Sequence, residues 1–202
     1  MSARHSATLG VVVACLVVLT TGGSAFARTP AQPTTSSATA PLYNRVLQFG
    51  DLPGFWSVTC PVAITSAAQW SMHSSSTATL ASNGFVNGLR EPLRASHTAS
   101  NGWSVVAQFR SASGARHEAL GELARATARG GAFAGFEIAG IPGSHGYSLA
   151  DGRSSRMSVG FTHGRFQYLI TIAGVGRSDA SLLRARLVMA ASILYERAEQ
   201  HS

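Results

Sequence analysis

Residues 157–171 read MSVGFTHGRFQYLIT. Apolar or aromatic side chains recur at every second position on both sides of His163-Gly164, the period of a strand with one buried face. A two-residue loop at His163-Gly164 pairs Phe161 with Phe166, Val159 with Tyr168 and Met157 with Ile170, all on one side. The other side reads Ser158, Gly160, Thr162, Arg165, Gln167, Leu169 and Thr171. Two separate alternations that agree on one turn set the register, because a slip of one residue would turn the apolar set to water. His-Gly suits such a turn, since His is among the non-glycine residues enriched at positive φ.

Working outward, a three-residue loop at Ala150-Asp151-Gly152 keeps Tyr147 and Leu149 in phase with Met157. Phe136 and Ile138 belong to a further strand, and residues 141–146 (IPGSHG) bend the chain between the two. Residues 103–110 alternate as well, Trp103, Val105, Ala107 and Phe109 against Ser104, Gln108 and Arg110, and residues 84–90 carry Phe85 and Leu89. A helix is predicted over 114–129. Ala115, Ala119, Leu120, Leu123 and Ala126 form its apolar arc, with Glu118, Glu122, Arg125 and Arg129 on a solvated side. A second helix runs from the N-cap Asp179 to Glu199 on a line of Leu183, Leu187, Ala190 and Leu194, with Arg186 projecting into it. Pro61 opens a shorter helix reaching about His73. One-sided strands with amphipathic helices imply an α+β domain, an antiparallel sheet with one face packed by two or three helices.

The chain has 202 residues, 45% of them hydrophobic and only 12% charged, with a formal charge of +7. That is one globular domain with tails. Residues 1–27 have the three parts of a secretory signal peptide: Arg4 and His5, an apolar run from Leu9 to Leu19, and the A-x-A site Ala25-Phe26-Ala27. The run is too short to span ~30 Å of hydrocarbon. Cys15 lies inside it, where acylation is not expected. Cleavage leaves Cys60 as the one cysteine, expected to be buried. Residues 28–41 (RTPAQPTTSSATAP) form a Pro/Ser/Thr-rich linker, and 42–200 the single α+β domain. The reading is therefore a secreted protein, extracellular or envelope-associated, with no transmembrane segment after cleavage.

Every basic residue is Arg. The arginines are scattered from Arg28 to Arg197 rather than gathered in a backbone-tracking stripe, so no nucleic-acid partner is expected. The histidines lack metal-ligand spacing, and no metal or cofactor is expected. Gly146-Tyr147-Ser148-Leu149-Ala150 is not a nucleophile elbow, because Asp151-Gly152 follows where a helix is required. No catalytic residue is assigned. What remains is a binding surface. Ser144 and His145 lie in the glycine-rich loop 141–147, and Arg156 and Arg165 on the polar sheet face; together they are the candidate holders of a small anionic ligand. The role read from this is a non-enzymatic domain binding a small ligand, an envelope component or a protein partner. The alternative is an exported hydrolase. A pocket of converging His and acidic groups would favour the hydrolase, and a groove lined by aromatics and arginine would favour binding.

The segments Asp51-Leu52-Pro53-Gly54-Phe55, Gly84-Phe85, residues 109–115 (FRSASGA), Ile141-Pro142-Gly143 and residues 161–166 (FTHGRF) resemble, in this order, small secreted and lipoprotein-like proteins of GC-rich Gram-positive bacteria. The resemblance covers about residues 42–198 and implies a PsbP-like α+β fold. It carries structural turns and strand edges, and no site residues.

Overall fold

The computed structural model describes residues 40–48, 50–57, 60–71, 76–95, 101–128, 132–150, 154–175 and 180–201. The expected signal peptide, nearly all of the expected linker, and the segments holding His73, His97 and Asp151-Gly152 lie outside these residues. The described residues, from Ala40 onward, make one compact unit.

A 3₁₀ helix (Ala40–Arg45) enters the fold. Two short strands follow, β1 (Phe55–Ser57) and β2 (Val62–Ile64), then two short helices, α1 (Ala67–Ser71) and α2 (Thr77–Ser82). Next come β3 (Phe85–Ala95), β4 (Asn101–Phe109) and α3 (Ala112–Ala128). Strands β5 (Ala132–Phe136), β6 (His145–Ala150), β7 (Ser154–His163) and β8 (Phe166–Val175) precede the last helix, α4 (Ala180–Gln200). The strands form one antiparallel sheet in the order β1-β3-β4-β8-β7-β6-β5, with β2 also on β3. The α+β class read from the sequence is borne out. The segment after Pro61 differs: Val62, Ala63 and Ile64 pair with Arg90, Leu89 and Gly88, so β-branched residues close a ladder where a helix was expected. The helix there shrinks to α1.

The hairpin at the heart of the sequence forms, one residue further along than read. His163 pairs with Phe166, Phe161 with Tyr168 and Met157 with Ile172, so the loop is Gly164-Arg165. Gly164 has φ +55°, and no described non-glycine residue has positive φ. Glycine at the first loop position and an ordinary residue at the second is the pattern of a II′ turn; a His163-Gly164 loop would have forced His163 into the left-handed region. The shift moves each partner by two, so every side chain keeps its face. Phe161 and Tyr168 stack at 4.7 Å.

One face carries Leu89, Val106, Val159, Phe161, Tyr168, Ile170 and Ile172, and packs against α4 through Leu183, Leu187, Ala191 and Leu194 and against Leu42, Val46 and Leu47 at the entry. Arg197 clamps that entry, its guanidinium bonding both oxygens of Asp51 at 2.6 and 2.8 Å and the Val46 carbonyl at 3.1 Å. The opposite face is covered too. Ile64, Trp70, Leu80, Val105, Phe109, Ala115 and Leu169 form a second core there.

α3 completes this second cover, and it is turned differently from the expected amphipathic arc. Gly114, Ala115, Glu118, Ala119, Glu122 and Ala126 are buried, while Leu120 is 62% exposed. Both glutamates point inward. Glu118 takes hydrogen bonds from Arg125 at 2.9 Å and Asn83 at 3.0 Å. Glu122 takes them from Tyr147 at 3.2 Å and Gln167 at 2.9 Å. Beside them Ser158 and Thr171 share a bond of 2.9 Å. Tyr147 pairs with Ser158 and so shares the face of Ser158 and Gln167, opposite to Met157; the expected phase of the β6–β7 turn is corrected by this register. A sheet face studded with hydroxyls and amides buries best against a helix that brings acceptors. Cys60, expected inside, is exposed.

Candidate functional site

The four residues singled out from the sequence are placed apart. Ser144 is buried, and its hydroxyl accepts the Ile138 N–H at 2.9 Å and donates to the Ile138 carbonyl at 3.3 Å, closing the 138–144 bend. His145 stands opposite Gly160 on the α3 side of the sheet. A Cβ on Gly160 would sit 2.8 Å from His145 Nε2, so the ring occupies the space that glycine leaves. Burial lowers the His145 pKa below its usual 6.5, against a smaller upward pull from its hydrogen bond to the Gly143 backbone. Arg156 lies near the start of β7 and Arg165 in the turn past its end, so the strand from 156 to 163 alone separates them by roughly 23 Å. Arg156 is exposed, 5.6 Å from the Trp103 ring.

Arg165 is the member of the set that opens onto a cleft. This cleft, of 660 Å³, is lined by Asn44, Arg45, His163, Gly164, Arg165, Phe166 and His201. Three elements build it: the end of the entry 3₁₀ helix, the β7–β8 turn, and the last turn of α4. The II′ turn sets Arg165 at the rim and Phe166 beneath it. The Phe166 ring lies 4.1 Å from the Arg45 guanidinium and 5.7 Å from that of Arg165, so two cations are within cation–π reach of one ring.

Arg45 is the residue the sequence reading passed over. It is only 7% exposed. Nη1 donates to the Tyr168 hydroxyl at 2.8 Å and Nη2 donates to the His201 carbonyl. Among the described residues it has no carboxylate partner, whereas Arg125 pairs with Glu118 and Arg197 with Asp51. Tyr168 is no counter-ion either. Burial raises its phenol above the usual range despite Arg45, so the hydroxyl stays neutral. The α4 C-terminus supplies about half a negative charge, which leaves the cleft positive. A signal was present in the sequence: Arg45 is the lone charge in the apolar run 42–49 (LYNRVLQF).

No other described cluster has comparable chemistry. No group of three His, Cys, Asp or Glu side chains is placed to hold a metal among the described residues. A smaller cleft of 350 Å³ between α3 and β6 is lined by Leu123, Thr127, Phe136, Glu137 and His145, among others. No described helix is long and apolar enough to cross a membrane.

No protein-family model matches the chain, and no curated protein matches it. Among solved structures it is similar to the extracellular domain of PknH from Mycobacterium tuberculosis, with a TM-score of 0.48 and 10% identity, over 73% of this chain and 84% of that one. A likeness at this level carries no argument about function.

Proposed function

We propose that this chain is an exported, non-enzymatic binding domain whose ligand presents an anionic group to the cleft between the entry 3₁₀ helix, the β7–β8 turn and the end of α4. The observation that carries this reading is Arg45. A guanidinium keeps its charge when buried, and a buried charge without a carboxylate partner costs several kcal/mol unless something else compensates it. An anion entering beside Arg45 and Arg165 supplies that compensation. The lining favours binding over hydrolysis, since it combines arginine with an aromatic floor and contains no acidic side chain among the described residues. The layout of residues 1–27 supports export, and the resemblance to small exported proteins of PsbP-like fold supports the same setting.

The test is a thermal-shift screen of the purified protein against small anions at constant ionic strength. A ligand at about a hundred times its Kd stabilises by about 2.7 kcal/mol, an upward shift of roughly 5–10 °C for a domain of this size. Arg165→Gln should remove most of that shift. No saturable shift with any anion would end the reading.

A further inference from the structure

Resting on that reading, we propose that the cleft selects a phosphoryl group, as in a phosphate monoester, over a carboxylate. The argument is the number of donors and the charge. A carboxylate has two oxygens to satisfy with one charge, whereas a phosphoryl group has three oxygens and accepts from several directions. Both arginines keep N–H groups in reserve. Both terminal nitrogens of Arg45 already give a hydrogen to the protein, one to Tyr168 and one to His201. Arg165 is committed likewise: with the Gln108 amide turned to suit its neighbours, its oxygen accepts from Arg165 Nη2 at 3.1 Å and Nε at 3.3 Å, and its nitrogen donates to Asn87 at 3.0 Å. Each guanidinium therefore keeps three of its five N–H groups beyond these bonds. Asn44, His163 and His201 also line the cleft.

Charge points the same way. A phosphate monoester carries about −1.5 to −2 at neutral pH, which matches two guanidiniums, whereas a carboxylate carries one charge. The volume of 660 Å³ leaves room for an organic group beyond the phosphoryl head, and Phe166 gives that group an apolar surface.

The experiment is isothermal titration of the purified full chain with phenyl phosphate and with benzoate, repeated on Arg165→Gln and on His201→Ala. Both substituted residues are exposed, and circular dichroism checks that each variant folds. Phenyl phosphate should bind at least tenfold tighter than benzoate, and each variant should weaken it, Arg165→Gln by about tenfold or more. Equal affinity for the two probes, lost alike in Arg165→Gln, would overturn the phosphoryl preference and leave the anion cleft standing. No binding of either probe would overturn both. Two further arms separate the sources of the group. Competition by inorganic phosphate supports a free phosphate compound. Pelleting with vesicles of phosphatidic acid in phosphatidylcholine, and not with phosphatidylcholine alone, supports a phospholipid headgroup.

Discussion

His145 sits against Gly160 with its ring largely out of water, and burial holds its pKa below the usual 6.5. On acidification the unfolded chain takes up this proton before the native state does. The stability linked to His145 is thus fully present above about pH 6.5 and is lost as pH falls through the lowered native value. The steepest slope one such group can contribute is about 1.4 kcal/mol per pH unit. Urea midpoints measured from pH 7.5 to 5 should fall more steeply for the native protein than for His145→Gln, which cannot titrate. Parallel curves would show that the ring reaches solvent in the native state. Arg45 shows what single-residue reading can and cannot reach. Its oddity, a charge inside an apolar run, is visible in sequence. Its meaning depends on Tyr168 and His201, more than a hundred residues away.

At the scale of elements, α3 is the informative case. Ala115, Ala119 and Ala126 bury little area, so much of what seats the helix is the polar layer around Glu118 and Glu122. Glu122→Ala strands the Tyr147 hydroxyl and the Gln167 amide in a dry place. Two lost partners at about 1–3 kcal/mol each should lower the melting temperature by roughly 5–25 °C. Leu120→Ala, on the exposed side, should change stability by no more than about 0.5 kcal/mol. Reversed sensitivities would mean that the helix lies with its leucines inward. Periodicity alone favoured that arrangement, because hydropathy scores a glutamate as outward wherever it falls. The polar face of β7 and β8 and the charged face of α3 were each legible. That they close on each other was not, since neither pattern reveals what it will meet. The β7–β8 turn was readable to within one residue for a related reason: alternation fixes faces, while the loop position depends on which residue takes the positive φ.

For the molecule as a whole, one sheet serves two cores. Adjacent residues of β4 make the point, Val106 packing toward α4 and Val105 toward Trp70. Damage to either core must therefore be felt through the shared strands. Leu187→Ala opens a cavity under α4 at a cost of about 2–5 kcal/mol. Its urea transition should move by the same amount whether followed by far-ultraviolet circular dichroism or by tryptophan fluorescence, as a two-state domain requires. Two separate midpoints would show that the faces come apart independently.

The bond from Arg45 to the carbonyl of His201 has a practical side. It draws the opening turn of the folded chain up to the residue just past α4, so that bulk attached beside His201 would stand at the mouth of the cleft and should be kept out of binding assays. Position 201 is equally a vantage point, where an environment-sensitive dye would report a guest as it arrives.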